Sequence, residues 1–189
     1  MILGITGGTG CGKTTLLQEI EERGGLVLDC DAVYHDLLTR DEVLLNAINE
    51  RFPGVVVEGV LERKKLGAIV FNDGQALQDL NAITHGAIRA EIVRRLAENP
   101  RLAAIDAIAL FEGGLAELCD TTVAVTAPRA DRVERLMKRD SISREYAEKR
   151  IDAQKSESWF RQMCEHTLHN DGTPEEFREK CSEFLDHIL

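Results

Sequence analysis

The 189-residue sequence has no apolar run approaching the roughly 20 residues a membrane span requires, so no integral membrane protein is expected. Cysteines are few and scattered, at 11, 30, 119, 164 and 181, with no C-x-x-C pair. An odd number at irregular spacing favours neither a zinc site nor a disulfide framework. Basic residues are in deficit: 23 Lys and Arg against 33 Asp and Glu give a formal net charge of −10, which argues against a general nucleic-acid binder. No repeat and no low-complexity tract interrupts the chain. An apolar strand begins almost at once, leaving no room for a targeting leader, and the expected location is the cytoplasm. What remains, 43% hydrophobic and 30% charged residues, is the composition of an ordinary globular protein.

Strand-like and helix-like segments alternate. Ile2–Thr6, Leu26–Asp29, Ala103–Leu110, Thr122–Thr126 and the weaker His166–His169 read as strands. They are continuously apolar rather than alternating, as in a parallel sheet covered on both faces. Helices are expected at Lys13–Ile20 and Asp41–Arg51, and after Thr173, where Pro174 and Glu176 complete a capping box. Residues 63–99 show a helical pattern with no strand, and Leu77, Leu80, Ile88, Ile92 and Leu96 share one face. The sequence therefore predicts an α/β fold with a five-stranded parallel sheet flanked by helices. The core is expected at about residues 1–30 and 101–189, with an inserted helical lobe at about 31–100 and a helical lid at about 129–160.

Gly7-Gly8-Thr9-Gly10-Cys11-Gly12-Lys13-Thr14 fits G-x-x-x-x-G-K-[ST] between the first strand and the first helix. This is the phosphate-binding P-loop. Its glycines allow backbone N–H groups to converge on oxygen anions at the positive end of a helix dipole. The expected ATP contacts are Gly8, Gly10, Cys11, Gly12, Lys13, Thr14 and Thr15, with the Thr14 hydroxyl as a ligand to Mg²⁺. Lys13 can reach the β- and γ-phosphates. Cys11, inside the loop, is either a small space-filler or a thiol whose pKa Lys13 and the helix N–H groups lower. In the second case its oxidation blocks nucleotide binding.

Other candidates fall at strand ends, where open parallel sheets bind ligands. Asp29 and Asp31 follow the second strand. Asp31 suits a general base, or a water-mediated Mg²⁺ ligand, and it equally suits the N-cap of a helix beginning at Ala32. His35 lies one turn on. Leu110-Phe111-Glu112 follows the third strand, and Glu112 reads as a substrate contact or as a polar loop residue. His85 and Arg89 are one turn apart in the lobe. Between residues 129 and 161, ten Lys/Arg face seven Asp/Glu, a local basic excess in an acidic chain. Arg132, Arg135 and Arg139 share a helical face there, and a second helix capped by Ser143 carries Arg150 and Gln154. Arginines at such a junction suit a lid over phosphates.

Together these motifs resemble the dephospho-CoA kinase family over nearly the whole chain. The similarity rests on Ile5–Thr15, on Asp29-Cys30-Asp31 with His35, and on Leu110-Phe111-Glu112. It continues through Arg135-Leu136, Arg139, Arg150 and Gln154 to Asn170-Asp171-Gly172. The chain departs from the family pattern at Cys11, Cys30, Gly86 and Cys164-Glu165. The resemblance implies that ATP phosphorylates the ribose 3′-hydroxyl of dephospho-CoA, giving coenzyme A and ADP as the last step of that biosynthesis. It further implies Lys13, Asp31 and Arg139 as catalytic residues, Asn170 near the adenine of ATP, and Mg²⁺ as cofactor. Asp31, His35, His85, Leu110, Phe111, Glu112 and Arg150 would receive the acceptor. ATP and dephospho-CoA are the expected partners, with no nucleic acid or membrane. The sequence does not fix the oligomeric state; a monomer is favoured. Another small-molecule P-loop kinase, acting on a nucleoside, nucleotide or shikimate-like alcohol, is the main alternative. A GTP- or ATP-dependent switch is a second, although the chain has no Asn-Lys-x-Asp guanine motif.

Overall fold

Strand β1 (Ile2–Thr6) is short, apolar and almost wholly buried. The computed structural model, which describes residues 1–98 and 100–189, puts this strand at the centre of a five-stranded sheet. The others are β2 (Leu26–Asp29), β5 (Ala103–Asp106), β6 (Thr121–Thr126) and β7 (His166–His169), in the order β2-β5-β1-β6-β7. The sheet is parallel, with β1 paired to β5 and β6, and β6 to β7. Every strand therefore delivers its carboxyl end to the same edge.

The chain forms two compact units, Met1–Leu28 with Asn99–Leu189, and Asp29–Glu98. In the first, successive strand residues face opposite sides. Leu3, Ile5, Val123 and Val125 pack against α1 (Lys13–Glu22) and α9 (Pro174–Ile188), while Ala124 packs against Phe160 and Cys164 around α8 (Glu157–Met163). Helix α9 starts with the expected capping box: Glu176 N–H donates to Thr173 Oγ1 at 3.2 Å, and Thr173 N–H to Glu176 Oε2 at 2.8 Å. Its Phe177, Cys181 and Leu185, spaced by four, are buried. Helices α6 (Arg129–Asp140) and α7 (Arg144–Asp152) close a separate small core of Val133, Leu136, Ala147 and Ile151.

The second unit holds α2 (Cys30–Arg40), α3 (Glu42–Arg51), a hairpin of β3 (Val56–Val57) and β4 (Val60–Leu61), α4 (Arg63–Val70) and α5 (Gly74–Leu96). The hairpin escapes sequence patterning because each strand has two residues. Its signal is Glu58-Gly59, both at positive φ (51° and 78°), the backbone of a two-residue turn matched to strand twist. Helix α5 buries Ala76, Leu80, Thr84 and Ile92, whereas Leu77, expected on that face, is exposed. The face follows a spacing of four from Ala76, and Leu77 lies about 100° away from it.

Two further expectations shift. The third strand ends at Asp106 rather than Leu110: Ala107 N–H makes the last bond to β1, at Ile5 O, and residues 108–114 turn. Gln154 lies beyond the end of α7 at Asp152. Among the described residues no helix is long and apolar enough to cross a membrane.

Glu91 of α5 is buried yet ionised. Arg94 donates two hydrogen bonds to it (2.8 and 2.9 Å), Arg95 one (2.8 Å) and Arg40 of α2 one (2.9 Å). These donors, Arg94 foremost, lower its pKa from 4.5 to about 2 despite burial. A depressed carboxylate pKa gives stability that is whole above 4.5 and fades as the pH falls toward 2. Glu91→Gln should therefore lower unfolding free energy at pH 7 by about 1.5–3 kcal/mol, toward the low end because the arginines can rehydrate. Urea titrations should show the gap between wild type and variant closing across that acid window.

Candidate active site

The turn after β1 is held through its carbonyls. Lys13 Nζ donates to Gly7 O (3.3 Å), Arg132 Nε to Thr9 O (2.9 Å) and Arg135 Nη1 to Gly10 O (3.2 Å). Cys11 O accepts from Asn170 Nδ2 (3.0 Å) and from Arg135 Nη1 (3.4 Å). Two backbone bonds complete the set, Cys11 N–H to Gly8 O (3.2 Å) and Thr15 N–H to Gly12 O (3.1 Å). Every carbonyl from Gly7 to Gly12 thus has a donor. The N–H groups of Gly10, Gly12, Lys13 and Thr14 have no acceptor among the described residues. They surround the N-terminus of α1, where Gly12 takes the left-handed conformation (φ 96°) with no side-chain cap. A side chain at Gly12 would also strike Asn170 Nδ2, 2.3 Å from the Cβ position. This is a nest for an anion, assembled from β1, α1, α6 and the end of β7.

Lys13 Nζ also lies 3.3 Å from Asp106 Oδ1, and both side chains are largely buried. Asp106 is the site residue that sequence reading missed. It is the single acid in Ala103–Leu110, and extending the strand to Leu110 hid its position at a strand end. Parallel register sets it beside Ile5, just before the loop.

Thr14 occupies the first turn of α1 and is exposed, and Thr15 follows it. Asn170 is 6% exposed: besides Cys11 O it accepts from Arg135 Nη2 (3.3 Å), and its N–H donates to Thr126 O (2.8 Å). It straps the loop to the ends of β6 and β7. Thr9 N–H donates to Gln154 Oε1 at 2.8 Å. The arginine row of α6 divides. Arg132 and Arg135 grip the loop, whereas Arg139 forms a bidentate pair with Asp140 (2.7 and 2.9 Å). Arg150 Nη1 joins the same carboxylate at 2.5 Å. These two hydrogen-bonded guanidiniums drive the Asp140 pKa far below the usual carboxylate range.

Leu110 is fully buried. Phe111 meets Trp159 edge-on (5.9 Å between centroids), and Glu112 is exposed. In the helical unit, Asp29 rather than Asp31 caps α2: its Oδ1 accepts from Asp31 N–H (2.8 Å) and Ala32 N–H (3.1 Å). Asp31 is exposed in the first turn of that helix, with no hydrogen bond or ion pair to its carboxylate among the described residues. His35 lines a cavity of about 240 Å³ with Tyr34, Leu38, Leu66 and Arg63, while half-buried His85 lies on α5.

The family model for dephospho-CoA kinase matches residues 1–176. The chain belongs to the dephospho-CoA kinase family. A dephospho-CoA kinase of Deinococcus radiodurans is 38% identical over 174 residues, covering 90% of this chain and 84% of that one. One from Geobacter sulfurreducens is 35% identical over 96% of this chain and 95% of its own. Among solved structures, a Thermus thermophilus protein superposes with a TM-score of 0.83 at 32% identity, covering 100% of this chain and 98% of that one. The dephospho-CoA kinase of Campylobacter jejuni gives 0.70 at 26% identity, covering 99% and 96%. A shikimate kinase from Bacteroides thetaiotaomicron, at 14% identity and a TM-score of 0.54 over 98% of each chain, shares the fold alone. The reaction of this family member is ATP-dependent phosphorylation of dephospho-CoA, within coenzyme A biosynthesis.

Of the two readings of Cys11, the space-filler holds and the activated thiol does not. Its side chain is 3% exposed and packs in the core with Leu16 and Phe177. Burial raises its pKa, outweighing the opposing effects of Arg132 and Lys13. Burial likewise lifts Cys119 and Cys181 to about 12 and Cys164 to about 11. A disulfide reagent at pH 8 should therefore label Cys11 only as fast as the protein opens, read by mass spectrometry against a guanidinium-unfolded control. Labelling of Cys11 within seconds in the folded protein would contradict its place in the core.

Proposed function

We propose that the acceptor atom is the ribose 3′-hydroxyl of dephospho-CoA, with Asp31 as the base that receives its proton. The oxygen attacks the γ-phosphorus of ATP as the bond to the β-phosphate oxygen breaks, giving coenzyme A and ADP. The observation that carries this reading is the division of labour between two carboxylates. Asp29 takes the helix cap, and Asp31, two residues on, is left with an unengaged carboxylate. The cap bonds fix the Asp29 carboxylate against its own helix, whereas the Asp31 carboxylate can turn toward a hydroxyl.

Lys13 is assigned to the β- and γ-phosphates. Its flexible ammonium, now between Gly7 O and Asp106, can follow charge as it moves onto the leaving oxygen. Arg139 and Arg150 are assigned to phosphate oxygens. Their shared partner, Asp140, is on a half-exposed helix end, so exchanging one anion for another costs little. Asn170 is assigned to the adenine side through the loop it straps. His35, His85, Phe111 and Glu112 are assigned to the acceptor.

Mg²⁺ fits the donors present. The Thr14 hydroxyl and the Asp106 carboxylate are hard oxygen ligands, and Asp31 can act through water. No cluster of three or more acidic, His or Cys side chains suited to a metal occurs among the described residues. That suits an ion bound chiefly by substrate phosphates and water. When bound, it neutralises charge on the β- and γ-phosphates. A cytoplasmic setting agrees with the five free cysteines.

An ADP-release assay should show turnover with ATP and dephospho-CoA and none with adenosine, AMP or shikimate. Asp31→Asn should lower kcat by about 10²–10⁴-fold with ATP affinity kept. A loss below tenfold would remove Asp31 from proton transfer while leaving the overall reaction standing.

A further inference from the structure

Most arginines of the α6–α7 region have an acid. Arg129 pairs with Asp152, and Arg139 and Arg150 share Asp140. Arg132 differs. It is 7% exposed, and no ion pair to it occurs among the described residues. Among the described residues its guanidinium bonds only to neutral oxygens, Thr9 O (Nε, 2.9 Å) and Gln154 Oε1 (Nη2, 3.3 Å). Burying a charge without a counter-ion is costly. Position adds to that cost, because Arg132 is in the first turn of α6, with its N–H on Pro128 O, where the helix dipole disfavours a cation.

The loop is shaped around this side chain. Gly8 is not among the residues at positive φ, so backbone conformation does not require glycine there. A Cβ at Gly8 would lie 2.3 Å from Arg132 Nη2 and 2.8 Å from Cζ. At Gly10 a Cβ would lie 2.9 Å from Arg132 O. The missing side chains let α6 and its guanidinium lie directly on the loop.

We infer that Arg132 is a positioning residue for the polyphosphate of ATP: it fixes the Thr9 peptide and Gln154, and its buried charge is balanced when the nucleotide's phosphates occupy the loop. The inference rests on ATP being the phosphoryl donor. Gln154 Oε1, accepting from both Thr9 N–H and Arg132, ties the segment after α7 to the same point, so phosphate binding and the α6–α7 pair are coupled through one guanidinium.

The test compares Arg132→Gln and Arg132→Lys with wild type. Arg132→Gln should raise the KM for ATP about 10–100-fold, the scale of a hydrogen bond to a charged group. The KM for dephospho-CoA should stay within about twofold, and calorimetric binding of ATP should weaken more than that of AMP. The Tm without nucleotide should hold or rise, since an uncompensated buried charge is removed. Arg132→Lys, which keeps the charge, should recover most of the ATP affinity. An unchanged KM for ATP in Arg132→Gln overturns the inference. So does a fall in Tm with ATP affinity intact, which marks a purely structural residue. If Arg132→Gln does not fold, a folded Arg132→Lys that binds ATP as poorly as AMP overturns it as well. Wild type lacking ADP formation from ATP and dephospho-CoA would instead refute the proposed function.

Discussion

Backbone N–H groups can converge on an anion only if the carbonyls of the same peptide units find donors elsewhere. This constraint organises the protein. A peptide plane that turns its N–H inward turns its C=O outward, into packed surroundings where an unpaired oxygen costs about 1–3 kcal/mol. Six consecutive carbonyls, Gly7 to Gly12, face that requirement. Their side-chain donors are scattered along the chain: Lys13 on α1, Arg132 and Arg135 on α6, Asn170 after β7. The parallel sheet brings these distant segments to one edge, and the apolar interior of β1 and β6 pays for the ordering of a glycine-rich turn that would otherwise be mobile.

Charge follows from the same requirement. Three of the four side chains that hold the loop are cationic, and of those only Lys13 has an acid within ion-pair range among the described residues. The chain is acidic overall, so this positive region is local rather than a consequence of composition. Its field favours a multivalent anion over neutral competitors. In the helical unit the sign is reversed: buried Glu91 is satisfied by four hydrogen bonds from arginines of its own unit, a structural cluster.

Features whose physics is local were legible in the sequence. The phosphate loop, the five strands, the capping box at Thr173 and the helical character of α5 each rest on neighbours within a few residues. Features that depend on partners far along the chain were not. Asp106 looked like one polar interruption in an apolar run, because its meaning comes from Lys13, ninety-three positions away in sequence. Arg132 and Arg139 share a helical face by spacing, yet only the fold shows one on the loop and the other on Asp140. Local rules left Cys11 as either a space-filler or an activated thiol, and only the fold shows that desolvation by the core under the loop outweighs the charge of its neighbours. Asp29 and Asp31 are two residues apart, and local rules alone could not say which one capped the helix.

The central claim is that the loop is set by protein groups before any nucleotide arrives. Backbone ¹⁵N relaxation of the nucleotide-free protein tests it directly. Amides of residues 8–14 should show order parameters near those of β1, about 0.85. Values below about 0.6, rising only when ATP is added, would mean that the nucleotide builds the loop, and would contradict the account.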